Sequence, residues 1–200
     1  MTENTQQWHD TNLAPFNPSS ETAQRQSIAL MGLTSDDVLF DLGCGDGRLL
    51  IRAVSEVPGL CCVGVEIDPI FVERANKAVA DLSEEVQQRI RIRCQDVTKI
   101  LGDTQTSSIS NLAKTTTTKN LDDMTIADAT VIYLYLLPRG LRQIIDMLND
   151  FVKHRIKNGG SLRVVAYTFS VPGWEPTRVD TSTKSGVPIY LYLFPKPSAT

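Results

Sequence analysis

Apolar positions recur along this chain with two alternating periods. Val38-Leu39-Phe40, Cys61-Cys62-Val63-Gly64-Val65 and Ala129 to Leu137 (ATVIYLYLL) are short continuous runs, rich in β-branched residues. Runs of this kind predict strands buried on both faces. Between them Leu49-Leu50-Ile51 with Ala53-Val54, then Phe71/Val72, Ala75 and Val79, then Leu141, Ile144, Ile145, Leu148, Val152 and Ile156 repeat at helical spacing. Pro58-Gly59 and Asn158-Gly159-Gly160 stop two of these helices, and Pro69 suits the first turn of the third. A weaker stripe of Ala23, Ser27/Ile28 and Met31 predicts a first helix capped by Ser19 or Ser20 and running to about Leu30. Ile90, Ile92 and Cys94 alternate with Arg91 and Arg93, as in a half-exposed strand near a sheet edge. Leu162 to Phe169 predicts another strand, and Arg178-Val179-Asp180 with Ile189 to Phe194 an antiparallel pair.

Helix, β-α-β-α-β, then β-α-β and a final hairpin predict an α/β fold. Its core is a Rossmann-like, seven-strand, mostly parallel sheet with helices on both faces and a C-terminal antiparallel hairpin. Residues 1–14 are polar and unpatterned and are expected to be mobile; 15–200 are expected to form a single domain. Within it, 102–125 differs: ten of its 24 residues are Ser or Thr. That bias predicts a surface insertion, mostly structureless.

Composition narrows the class of protein. The 200 residues are 42% hydrophobic and 22% charged, with a formal charge of −3. Disordered tails, collagens and disulfide scaffolds are excluded. A net acidic domain also argues against nucleic acid as a partner. No apolar run approaches the roughly 20 residues of a membrane helix. The first ten residues carry Glu3 and Asp10 but no Lys or Arg, unlike a secretory or transit peptide. A cytoplasmic or nuclear protein is expected. The four cysteines, Cys44, Cys61, Cys62 and Cys94, form no C-x-x-C pair and lie far from His9 and His154. No metal site is expected, and the thiols are read as buried and reduced.

The chemistry concentrates after the strands. Asp41-Leu42-Gly43-Cys44-Gly45-Asp46-Gly47-Arg48 joins a strand to a helix with three glycines at alternate positions. Glycines let the backbone turn tightly and approach a ligand closely. The G-x-G-x-G pattern with an acid before it departs from the dinucleotide G-x-G-x-x-G. An acid there repels a pyrophosphate and suits an ammonium. Glu66 ends the next strand, where a carboxylate can accept both hydroxyls of a ribose. Asp68 reads as a helix cap. Asp96 follows the third strand, where it can accept an adenine amino group. A nucleoside with an aminoacyl tail fits all three acids: S-adenosylmethionine.

Four stretches carry a resemblance: Pro15-Phe16-Asn17-Pro18-Ser19, DLGCGDGR at 41–48, YLYLLP at 133–138, and Val164-Val165 through Phe169-Ser170-Val171-Pro172-Gly173-Trp174-Glu175-Pro176. The chain resembles the class I, seven-strand S-adenosylmethionine-dependent methyltransferases. More narrowly it resembles the non-SET protein-lysine methyltransferases, which include an archaeal broad-specificity enzyme and mitochondrial enzymes acting on the adenine nucleotide translocase and the ATP synthase c subunit. The resemblance spans roughly 15–194, apart from the insertion, and this chain lacks the mitochondrial members' hydrophobic N-terminal region. It implies cofactor contacts from Phe16, Asp41, Gly43, Cys44, Gly45, Gly47, Arg48, Glu66, Ile67, Asp96 and Val97. It implies that Tyr135, Leu136, Leu137, Pro138 and Trp174 act at the transfer site, with Tyr133 beside them and Phe16, Phe169 and Trp174 as walls of a lysine channel. The residues themselves leave Tyr133, Tyr135 and Trp174 equally readable as core. The partner implied is a protein presenting a lysine to a monomeric enzyme. A small-molecule methyltransferase and a non-catalytic S-adenosylmethionine-binding protein are the alternatives. A nucleic-acid N-methyltransferase is disfavoured, because LLPR at 136–139 stands where that class carries Asn/Asp-Pro-Pro-aromatic.

Overall fold

The computed structural model describes residues 17–102, 120–184 and 186–197. The expectations for residues 1–14, for Phe16 and for 103–119 lie outside the described residues. In chain order the elements are α1 (Glu21–Met31), β1 (Val38–Leu42), α2 (Arg48–Glu56), β2 (Cys61–Glu66), α3 (Pro69–Ala80), α4 (Glu84–Gln87), β3 (Ile90–Cys94), α5 (Val97–Gly102), β4 (Val131–Leu134), α6 (Pro138–Lys157), β5 (Leu162–Tyr167), β6 (Arg178–Asp180) and β7 (Ile189–Phe194). The strands form one sheet in the order β3-β2-β1-β4-β5-β7-β6. β1 to β5 are parallel, and β7 runs antiparallel between β5 and β6.

Alternation along each strand separates two cores. Phe40, Leu42, Val63, Val65, Ile132, Leu134, Val164 and Ala166 meet the α6 residues Leu141, Ile144, Leu148 and Phe151 on one face. Leu39, Cys62, Val131, Tyr133, Val165 and Tyr167 meet α1 and α2 on the other. Helix starts follow their caps. Ser20 Oγ accepts from Ala23 N–H at 3.2 Å, Asp68 Oδ1 accepts from Ile70 N–H at 2.9 Å, and Pro69 and Pro138 occupy first turns.

Several boundaries differ from the sequence pattern. β4 ends at Leu134, not Leu137, because its neighbour β1 leaves the sheet at Gly43, whose φ is +97°. β5 ends at Tyr167, not Phe169, where Thr168 takes φ +74°. Ile156 is exposed, and Phe151 takes a place in the core that the stripe did not assign. Of the thiols, Cys44 and Cys62 are buried, but Cys61 is half-buried and Cys94 exposed, since Cys94 ends the edge strand β3. The end of the 102–125 segment is ordered. Leu121–Asp123 forms a 3-10 turn with Leu121 in the core, and Arg91 Nε reaches Asp122 Oδ1 at 2.6 Å. Arg93 Nη2 donates to the Leu121 carbonyl at 3.1 Å. The arginines that mark β3 as an edge thus tie down that turn.

Asp37 is a structural hub at the opposite end of the sheet from the strand tips. It accepts from Thr34 N–H at 2.8 Å, Thr34 Oγ1 at 2.9 Å and Thr130 Oγ1 at 2.7 Å, and pairs with Arg163. Arg163 also donates to the Met31 and Gly32 carbonyls at 2.9 and 2.7 Å, closing the end of α1. Burial works to raise the Asp37 carboxyl, but the bonds from Arg163, Thr130 and Thr34 outweigh it and hold the carboxyl below its usual range. Asp37→Ala is expected to cost about 3 kcal/mol in urea unfolding, because it strips the partner from a half-buried guanidinium. A depressed carboxyl stabilises above its unfolded pKa of roughly 3.9. The deficit of the variant should therefore be full at neutral pH and shrink as pH falls below about 4.

Candidate active site

The carboxyl ends of β1 to β5 converge on a cavity of about 280 Å³. It lies where the strand order reverses between β1 and β4, the crevice in which open α/β sheets hold ligands. Its lining combines the loop after β1, the ends of β2 and β3, the segment Asn17–Ser19 before α1, and the turns after β4 and β5.

The glycine loop is a wound backbone. Gly43, Gly45 and Gly47 have φ of +97°, +55° and +75°, which side chains rarely adopt. A Cβ on Gly43 would lie 3.0 Å from Leu136 Cδ2, so the loop rests directly on the turn after β4. The loop's N–H groups are largely committed. Gly43 and Cys44 both donate to the Val65 carbonyl, at 2.8 and 3.0 Å, and Gly47 donates to Cys44 at 3.0 Å. Gly45 N–H donates to Glu66 Oε2 at 2.9 Å. A phosphate cradle needs those donors free.

Five acids line the cavity, Asp41, Asp46, Glu66, Asp68 and Asp96, against a single Arg48. Arg48 is spent on Asp46, through Nε–Oδ1 at 2.9 Å and Nη2–Oδ2 at 2.5 Å. Asp41 is 3% exposed, and its Oδ1 has no hydrogen-bond partner. Burial first, and then the neighbouring Glu66 charge, push its carboxyl well above the usual range. A buried, unpaired acceptor at a cavity wall is costly until a donor fills the cavity. Glu66 accepts three backbone bonds, from Gly45 N–H and from Ile67 and Asp68 N–H at 2.8 and 3.0 Å. Asp96 Oδ1 accepts from Thr98 N–H at 2.9 Å and Thr98 Oγ1 at 2.7 Å, which orients the carboxylate.

All the expected cofactor residues within the described chain, Asp41, Gly43, Cys44, Gly45, Arg48, Glu66, Ile67, Asp96 and Val97, line the cavity except Gly47. Gly47 stands behind, where a Cβ would meet Ala75 at 3.2 Å. Of the expected transfer residues, Tyr135, Leu136 and Leu137 line it, and so does Tyr133. Pro138 opens α6, and it does not line the cavity. Trp174 is a correction to the channel-wall reading. Its indole donates to Asn149 Oδ1 at 2.7 Å and stacks edgewise on Tyr192 and Phe194, at 5.4 and 4.8 Å between centroids. It braces the segment after β5, whose Val171 N–H donates to Tyr192 Oη at 2.9 Å. Asn17, Phe71 and Thr168 are among the lining residues that had gone unassigned. Asn17 lies inside the PFNPS stretch and its Nδ2 donates to Tyr135 Oη at 3.0 Å. Phe71 follows the Asp68-Pro69 helix start, which was a usable signal. Thr168 had none.

The comparisons with known proteins agree with this geometry. A family described as "Putative methyltransferase" matches residues 35–122. A protein-lysine N-methyltransferase of Saccharolobus islandicus is 28% identical over 180 residues, covering 90% of this chain and 92% of that protein. An RNA methyltransferase from Salinibacter ruber, solved with S-adenosyl-L-homocysteine, is 26% identical with a TM-score of 0.64, covering 92% of this chain and 96% of that one. A precorrin-6y C5,15-methyltransferase from Geobacter metallireducens shares the fold at 15% identity and a TM-score of 0.52, over 92% of this chain and 93% of that one. Fold and site together define a class I, S-adenosylmethionine-dependent methyltransferase. Its methyl donor is S-adenosylmethionine, a ligand that suits an unpaired buried carboxylate, committed loop amides and a cavity dominated by acids.

Proposed function

We propose that this chain is a protein-lysine N-methyltransferase. The observation that carries the reading is the slot at the acceptor end of the cavity. It lies between the adjacent tips of β4 and β5 and is walled by Tyr135, Leu136, Leu137 and Phe169. Its side chains are apolar apart from the hydroxyls of Tyr135 and Thr168, and Leu137 is 40% exposed. A largely apolar slot suits the alkyl stem of lysine and disfavours the ammonium form of its amine. The relative from Saccharolobus islandicus supports the same reading.

In this reading each residue has a definite task. Asp41 receives the ammonium of the cofactor's aminoacyl tail. Glu66 takes one ribose hydroxyl and not the two anticipated, because backbone donors already occupy three of its roughly four acceptor positions. Asp96 keeps Oδ2 for the adenine amino group while Thr98 holds Oδ1, and Ile67 and Val97 flank the ring. When bound, S-adenosylmethionine supplies a methyl carbon activated by its sulfonium. That chemistry would be a displacement in which the acceptor nitrogen takes the methyl carbon, the sulfur keeps the electron pair of the S–C bond, and the proton of the methylated amine goes to water. The protein's own contribution is position: the slot aligns the amine and excludes water. Among the described residues no helix is long and apolar enough to cross a membrane.

The likeness to the Salinibacter ruber enzyme favours RNA as a second reading. The formal charge of −3 weighs against it. Incubation with isotope-labelled S-adenosylmethionine and a cell extract, with and without ribonuclease, separates them. The expected result is ribonuclease-insensitive label on lysine in tryptic peptides. Label confined to RNA or to small molecules would overturn the lysine reading.

A further inference from the structure

Thr168 is the one non-glycine residue with a positive φ among the described residues, at +74°. Phe169 N–H donates to the Tyr167 carbonyl at 3.0 Å. A hydrogen bond from residue i+2 to i around a central φ near +75° is the strained form of the γ-turn, and a β-branched side chain makes it costlier. Strain of this kind persists only where its surroundings hold it, and it gathers at functional sites. Here both sides are held. Thr168 N–H donates to Pro188 at 2.9 Å, and the chain beyond is pinned by Tyr192 and Trp174.

The turn changes which way the chain faces. In a continued strand, Tyr167 and Phe169 would share one side of the sheet. Instead Tyr167 packs in the core against α1 and α2, with its ring 4.7 Å from that of Tyr135, while Phe169 packs toward the α6 core. Thr168 is left between them, half-buried at the tip of β5, and it lines the cavity. It is flanked by an aromatic wall on each side. Its neighbour across the sheet is the Tyr135–Leu137 turn, since β4 and β5 are paired up to Leu134 and Ala166. A relaxed glycine or asparagine would make this turn at lower cost, but a threonine adds a hydroxyl beside that of Tyr135; it hydrogen-bonds the Tyr167 side chain and keeps its own oxygen able to accept.

We propose that Thr168 orients the acceptor amine: its hydroxyl accepts one N–H of the incoming neutral amine, so that the nitrogen lone pair faces the methyl group. This rests on the reading of the site as an amine N-methyltransferase. The side chain removes no proton and takes no part in bond making. It fixes an angle, and the strained turn fixes the side chain.

Three variants of the full chain test this, with cofactor affinity by calorimetry and single-turnover transfer to a labelled protein acceptor as readouts. Thr168→Val keeps the shape, the β-branch and the strain and loses only the hydroxyl. It should slow transfer about 10- to 100-fold at saturating acceptor, the range of one hydrogen bond realised in the transition state. Acceptor KM and cofactor Kd should stay within about twofold. Thr168→Ser should keep most of the rate. Thr168→Gly relieves the backbone, so it should lose transfer without a fall in melting temperature. Transfer by the valine variant within about twofold of wild type would overturn the proposal. So would a loss in which cofactor Kd weakens as much as the rate, the mark of a merely structural residue. A wild-type protein that binds no S-adenosylmethionine would instead sink the site itself, and one that binds it but labels no amine would sink the lysine reading.

Discussion

Glu66→Ala is expected to weaken S-adenosylmethionine binding by at least about 100-fold in calorimetry, while the fold survives. The size follows from how many donors meet at one carboxylate. Gly45, Ile67 and Asp68 all give it their N–H groups, at 2.8 to 3.0 Å. The alanine variant frees Gly45 of the glycine loop, frees the turn that enters α3 and removes the proposed ribose acceptor together. Hydrogen bonds to a charged group contribute about 1.5–3 kcal/mol each, and 100-fold corresponds to about 2.7 kcal/mol. Glu66→Gln should fall between, near 10-fold. One amide oxygen can still serve Ile67 and Asp68, but the amide NH₂ then meets the Gly45 N–H donor to donor. Full affinity in the alanine variant would show that neither the loop nor the ribose depends on this side chain.

Asp41→Ala should change affinity and stability in opposite directions. Binding should fall about 30-fold, the contribution of a charge-assisted bond to the aminoacyl ammonium. The cofactor-free protein should melt about 2–4 °C higher, because the variant removes a buried carboxyl with an unpartnered oxygen. The pH dependence has a definite sign. Folding raises this carboxyl's pKa, so its neutral form is favoured in the folded, empty protein. The stability tied to that shift is present at low pH and is lost as pH rises from the unfolded value of roughly 3.9 through the folded value. An ammonium placed beside it restores the carboxylate. Binding to wild type should therefore release a proton and tighten as pH rises over that window. Calorimetry in two buffers of different ionisation enthalpy reads the proton directly. A variant that melts no higher and shows the same proton release would remove Asp41 from the aminoacyl site.

The parallel core was legible because its strands and helices differ in period. The runs at 38–40 and 61–65 and the stripe from Leu141 to Val152 each allow one kind of element, and each became that element. The ends of strands were not legible. Tyr135–Leu137 and Thr168–Phe169 are as apolar as the strands they follow, and they leave the sheet only because a neighbour has turned away or a turn has formed. Period reports burial, not pairing. For the same reason Trp174 looked like a channel wall: an aromatic in a segment after a strand fits a site as well as a brace, and only Asn149, Tyr192 and Phe194 decide it. Leu121 was hidden by averaging, a core residue inside a segment rich in Ser and Thr. The acids were different. Asp41 and Glu66 sit at the carboxyl ends of β1 and β2, and Asp96 lies just past β3, so their place at one end of the sheet came with the strand assignments. What sequence could not supply was that Glu66 is already occupied.

The sheet order has a consequence for how the chain is made. β7 comes last in chain order among the described strands, yet it sits inside the sheet, hydrogen-bonded to β5 on one side and β6 on the other. Synthesis runs at roughly 5–20 residues per second, and domains fold as units. Every cofactor-lining residue up to Asp96 leaves the ribosome early, but β5 keeps a bare edge and β6 has no neighbour until Ile189–Phe194 follows. Trp174 cannot stack on Tyr192 or Phe194 before then, nor can the turn at Thr168 be held by Pro188. The glycine loop and the acids around it are thus synthesised well before the strand that holds the turn at Thr168. Completing the sheet and fixing the turn beside the cavity are therefore one event, made by the same strand.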